Sequence, residues 1–266
     1  MSTMFTDVNE KTSEIAAQVG RTPQNWNSSV FSMIQNLSES VVVPIAGIII
    51  TLVLCYELIS MLTERNNLHD VDTWMFFKYF VKAWVAIYLV SNTFTITMAV
   101  FDVGQSVVNS ASGIINGETA IDVSSLSMQM QAAMATMEIG ELVVLALETF
   151  LVSFCMKIMS VVITVIVYGR MIEIYLYCSV APIPFATMTN REWGNTGTNY
   201  VRSMIALAFQ GFFIMVIVGI YSALVKDLTT ATDLHAVVMK LGVYSVVLCL
   251  SLFKTSSISK SIFNAH

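Results

Sequence analysis

The chain has 266 residues, 56% of them hydrophobic and 12% charged, with a net charge of −5. A soluble domain carries about 25% charged residues. Together with the long apolar runs, this excludes an ordinary water-soluble domain and points to a single integral membrane domain. The net charge itself says little, because in a membrane protein the placement of Lys and Arg matters more than their sum.

Residues 1–40 read as an external amphipathic arm. Asp7 is placed to cap a first helix with Val8, Ile15 and Val19 on its apolar face, ending at Gly20. Thr22-Pro23 then reads as an N-cap with proline at the first helical position. Trp26, Val30, Met33, Ile34, Leu37 and Val41 follow at helical spacing. The polar first 40 residues, with the first long apolar run only at Val41, do not match a secretory leader.

Membrane spans, at about 20 residues each, are predicted next. Two fall at 41–63 and 74–100, within a block covering 41–100. Residues 101–139 read as a polar external central loop with a helix near 124–138, whose stripe is Leu126, Met130, Met134 and Met137. The C-terminal transmembrane region, 140–256, holds spans at 140–168, 201–225 and 237–256, and 257–266 is a cytoplasmic tail. No internal repeat suggests a repeat-type transporter. The fold expected is an all-α integral membrane protein with about five transmembrane helices. A short Pro-broken re-entrant or interfacial segment and the N-terminal arm complete it.

That short segment is 168–188. Tyr168–Val180 is 13 residues, or about 20 Å of helix, against a hydrocarbon core of about 30 Å. Gly169, Pro182 and Pro184 are the helix-breaking residues, and the prolines disfavour helix at the residues before them. Thr189-x-x-Glu192 then reads as a capping box.

Orientation follows from the basic residues. No Lys or Arg occurs in the 74 residues between Lys82 and Lys157, the mark of a translocated region. If 168–188 does not cross, Arg65, Lys78, Lys82, Arg170, Arg191, Arg202, Lys254 and Lys260 are inside, while Lys11, Arg21, Lys226 and Lys240 are outside. Eight against four favours an external N-terminus and a cytoplasmic C-terminus, whereas full crossing gives six against six.

Several charges fall within the spans. Glu57 and Lys82 have matched depth on antiparallel neighbours and are expected to pair, because an isolated charge there costs several kcal/mol. Lys157 lies deeper, with Glu148 or Glu173 as its partner. Arg170 and Glu173 are three apart and can pair along one helix face. Such charges form a polar path or a subunit interface, or else structural pairs and snorkelling side chains. Cys55, Cys155, Cys178 and Cys249 read as small buried hydrophobes, and His69, His235 and His266 as solvated. No metal, cofactor or catalytic motif is recognisable, and no basic stripe suggests a DNA-binding groove.

The stretch GRMIEIYLYCSVAPIPFATM, leading through REWGNTGTNYVRSM into the next span, resembles the TrbL-type (VirB-six-like) polytopic subunits of type IV secretion and conjugation systems. The resemblance is to the compact form found in Gram-positive mobile elements. It is strongest over 168–225 and extends as a hydropathy pattern over most of the chain. It implies a non-enzymatic channel subunit in the cytoplasmic (inner) membrane, oligomeric, in contact with secretion ATPases, scaffold subunits and a transient substrate. That substrate is single-stranded DNA with its relaxase, or protein. On the matched positions, Pro182, Pro184 and Trp193 are implied to be architectural. Apolar faces outside the bilayer, Trp26, Val30, Ile34 and Leu37 on the arm and Met130, Met134 and Met137 on the loop, are expected to join copies into a ring. The competing reading is a stand-alone transporter or ion channel using the buried Glu and Lys residues.

Overall fold

The computed structural model describes residues 2–63, 73–119, 123–190, 193–229 and 233–265. Every regular element among them is a helix: α1 (Ser2–Val19), α2 (Pro23–Trp26), α3 (Ser28–Leu37), a π-helical turn (Ser38–Val42), α4 (Val43–Thr63), α5 (Thr73–Ser91), α6 (Thr93–Thr119), α7 (Val123–Met134), α8 (Ile139–Val180), α9 (Pro182–Thr187), α10 (Gly194–Leu228) and α11 (Leu234–Ile262). Among the described residues five helical runs are long and apolar enough to cross a membrane: Ser28–Thr63, Thr73–Ser91, Ile139–Val180, Gly194–Leu228 and Leu234–Ile262. The chain is an all-α, multi-pass membrane protein. The longest run, α8, has 42 residues, about 63 Å and twice the thickness of the hydrocarbon core.

The chain forms two compact units. The first comprises Met1–Arg21, Gly104–Arg170 and Phe209–Ser259; the second comprises Thr22–Val103, Met171–Ala208 and Lys260–His266. The two amphipathic pieces expected within 1–40 fall in different units, divided between Arg21 and Thr22.

In the first unit α1 packs by Met4, Phe5, Val8, Ile15 and Val19 into a core that includes Met130, Ile163, Ile214, Val218 and Leu241. α1 begins at Ser2, so Asp7 lies inside the helix rather than at its cap. The Met stripe is also used within the chain. Met130 is buried, and Met134 and Met137 pack on the same core, while the side chain of Leu126 lies outside the described residues. These methionines thus pack within their own unit, Met130 fully and Met134 and Met137 in part. The central region is mostly helix: α6 runs along α10, with Ile115 against Gly219 and Val108 against Gly211. Those glycines lie in the charge-free stretch of α10 between Arg202 and Lys226. The polar composition of 101–119 reads as a loop, yet small residues on both helices let them approach closely.

In the second unit Thr22 caps α2 by accepting from the Asn25 N–H, with Pro23 first in the helix. Asn27 immediately caps α3 in the same way at Val30. Trp26 packs against Tyr175, ring centroids 5.9 Å apart, and Phe31 meets Phe94 edge-on. Tyr175 donates to the Pro23 carbonyl at 2.6 Å. Ile34 packs on the core of this unit, whereas Leu37 is exposed. α9 packs against both α4 and α5. α5 stops at Ser91, nine residues before its expected end, because α6 begins at Thr93 after a single turn residue.

Candidate functional site

The chemistry of the chain lies in charged and polar side chains set among apolar helices. In the second unit Lys82 Nζ on α5 donates to Glu57 Oε1 on α4 at 2.5 Å. The pair keeps side-chain exposures of 39% and 21%, so it is not sealed inside the unit. The Tyr79 hydroxyl, one turn from Lys82, donates to the Leu54 carbonyl at 3.0 Å and fixes the two helices face to face. Tyr56, beside Glu57, stacks on Trp193, with centroids 6.4 Å apart and planes 7° apart.

The Pro-Ile-Pro break is built from closely fitted parts. α8 runs through Gly169 without interruption and ends at Val180. Gly169 is therefore not a break: a Cβ there would meet nothing within 4 Å outside its own helix backbone, and a helix carries an isolated glycine at a cost of only about 1 kcal/mol. Pro182 opens the six-residue α9, where it sits at the first helical position and needs no backbone donor. Phe185 and Ala186 are buried, and Tyr200 on α10 donates to the Tyr177 carbonyl. Gly197 on α10 passes so close that a Cβ there would overlap Met188 Cγ and come 2.5 Å from the Pro184 carbonyl oxygen. Asn190 rather than Thr189 caps the turn leading to α10, accepting from the Trp193 N–H at 3.1 Å. Glu192, the other half of the expected capping box, lies outside the described residues, as do Arg65, His69, Arg191 and His266.

The remaining span charges find partners other than those expected. Glu148 on α8 meets His235 Nδ1 at 2.7 Å, and Glu173 meets Lys260 at 3.5 Å. Glu173 is thus paired across helices rather than with Arg170. Arg170 is only 4% exposed, and Gly211 makes room for its guanidinium, since a Cβ there would come 2.8 Å from one of the terminal nitrogens. Lys157, expected to meet Glu148 or Glu173, makes no ion pair or hydrogen bond with any described residue.

Sequence reasoning read His235 as solvated and Lys260 only as an inside charge, and left out Gly197 and Gly211. His235 had a usable signal, because it and Glu148 lie at the same end of two neighbouring predicted spans. The glycines had none, since close approach depends on which helices cross. Among the described residues no group of three or more His, Cys, Asp or Glu side chains is placed to hold a metal ion.

No curated protein and no solved structure matches the chain. A family described as TrbL/VirB6 plasmid conjugal transfer like protein matches residues 8–182. The match takes in both members of the Glu57–Lys82 pair, the first three spans and the start of the proline break, and stops before Trp193. With well over half of its length matched and five spanning helices in place, the chain belongs to the TrbL/VirB6 plasmid conjugal transfer-like family and is a membrane component of a conjugal transfer system.

Proposed function

We propose that this chain is a non-enzymatic channel and assembly subunit in the cytoplasmic membrane, helping a DNA–relaxase or protein substrate across. The observation that carries this reading is the Glu57–Lys82 pair. It lies six residues from Thr63 on α4 and nine from Thr73 on α5, about 9 and 13 Å along the spans, with Lys78 the other charged residue between it and the start of α5. A charge pair open to hydrocarbon at that depth is costly. Open to water, or to a neighbouring subunit, it is not. Membership of a conjugal transfer family supplies the neighbours, in the form of other transfer-system subunits.

Copies of the chain assemble through the exposed face of α3 and α4, where Leu37 continues into Val41, Ile45 and Ile48. Trp193, half-exposed and stacked on Tyr56, contributes to subunit contact. The N-terminus is external and the C-terminus cytoplasmic, by the distribution of basic residues.

The test is to crosslink DNA to protein with formaldehyde in cells during active transfer and recover the tagged chain. Transferred DNA is expected with the chain when the whole apparatus is present, and not when its energising ATPase is deleted. Transfer that proceeds without this chain overturns the reading. So does a purified monomer that transports a small solute alone in vesicles, which establishes the stand-alone transporter instead.

A further inference from the structure

Within the first unit α1 lies beside the middle of α8 with its charged side turned toward a cavity. Lys11 Nζ donates to Thr164 Oγ1 on α8 at 3.0 Å and to Glu14 at 2.7 Å. Thr12 and Ser222 hydroxyls approach at 3.5 Å. The cavity holds about 310 Å³ and is bounded by Asp7, Glu10, Lys11 and Glu14 of α1, by Lys157 and Ser160 of α8, and at its far side by Tyr221 and Ser245. Tyr221 and Ser245 hydroxyls are 3.0 Å apart and satisfy each other.

The depth of this cavity can be read from α8. Between Glu148 and Arg170 the only charged residue is Lys157. The interval is 22 residues, about 33 Å, close to the thickness of the hydrocarbon core. Lys157 is nine residues from one end and Ser160 ten from the other, so both lie near the middle. α1 therefore brings four charged side chains to mid-membrane depth, where lipid contact would cost several kcal/mol for each charge; Lys11 thereby leaves the external basic group, and eight against three keeps the same orientation. Lys11 and Glu14 neutralise each other. Asp7, Glu10 and Lys157 make no ion pair with any described residue. Charges held at such depth with room beside them are stable when the room is filled with water.

We propose that this cavity is a water-filled cleft inside the membrane region, walled by the polar side of α1 and by Lys157 and Ser160 of α8. Three carboxylates against two ammonium groups leave it net negative, so it admits small hydrophilic cations more readily than anions. The inference does not depend on the secretion role, since it follows from the position of α1 alone.

The experiment uses the full chain in cells carrying the complete transfer apparatus, with Cys55, Cys155, Cys178 and Cys249 replaced by alanine. Ser160→Cys places a thiol in the cleft. Val161→Cys and Phe154→Cys place thiols on the exposed apolar face of the same helix. A thiol reacts as its thiolate, which forms in water and not in hydrocarbon. With a trimethylammonium-bearing methanethiosulfonate, Ser160→Cys should react about tenfold faster than either control. The sulfonate-bearing reagent should be slower at Ser160→Cys, and adding Asp7→Asn with Glu10→Gln should close that gap. Equal slow rates at all three positions would show a dry cavity, and equal fast rates would show that this part of α8 is not at membrane depth. Either result overturns the proposal, and equal rates for the two reagents at Ser160→Cys overturn its charge preference.

Discussion

Gly197 and Gly211 are two residues at which α10 has no space for a Cβ, one over the Pro184 carbonyl and one over Arg170. Gly113 and Gly169, by contrast, meet nothing within 4 Å. Gly197→Ala should therefore lower stability by about 1–3 kcal/mol through overpacking. Gly113→Ala and Gly169→Ala should raise it by about 0.5–1 kcal/mol through helix propensity and a less free unfolded chain. Thermal midpoints of the detergent-solubilised variants decide this, and a loss at Gly169→Ala would restore that residue as a hinge. Removing one member of the Glu57–Lys82 pair strands the other, so Glu57→Gln and Lys82→Met should each reduce folded yield, with the double change recovering part of it. The coupling expected is on the order of 1 kcal/mol, and strictly additive losses would mean that the two do not interact.

At the scale of elements, the five spans were legible because unbroken apolar runs of this length have one stable use. The Glu57–Lys82 contact was legible because depth and opposite sign suffice for adjacent antiparallel helices. The ends of helices were not. α8 looks broken at Gly169 in sequence, yet packing carries the helix on to Val180, and only the ring of Pro182 stops it. The Met stripe of α7 and the Trp26–Leu37 face looked unpartnered because sequence does not show that α7 enters one core with α1, or that Trp26 and Ile34 pack within the second unit. Trp26→Ser with Ile34→Ser should therefore lower the thermal midpoint of the chain itself, through loss of the Tyr175 contact, rather than only dissociate an assembly. The π-helical turn at Ser38–Val42 was also invisible in sequence. In a regular α-helix, positions four apart drift by about 40° per step. A wider turn offsets that drift, and Met33, Leu37, Val41 and Ile45, each four apart, are all exposed. A π-turn amounts to one inserted residue. Deleting Glu39 should keep the run helical but rotate α3 by about 100°, costing Trp26 and Phe31 their seats on Tyr175 and Phe94. A lower thermal midpoint with unchanged far-ultraviolet ellipticity is the outcome expected.

For the molecule as a whole, the proposed orientation is open to direct labelling. Thr136, in the turn before α8, and Ser261, at the end of α11, are both exposed. In a cysteine-free background, Thr136→Cys should be modified by an impermeant reagent in intact cells and Ser261→Cys only after lysis; the reverse pattern would invert the orientation. The length of α8 bears on the architecture of the apparatus. With Glu148–Arg170 given to hydrocarbon, about 13 Å of helix precedes that stretch and about 15 Å follows it. Past Arg170 it still carries the exposed Ile172, Leu176 and Val180, each four residues apart. That last part has two faces: Ile174, Tyr175 and Cys178 are buried within the second unit, and the other edge is greasy and uncovered. α8 thus offers lipid or a neighbouring subunit more apolar edge than one crossing of the hydrocarbon uses.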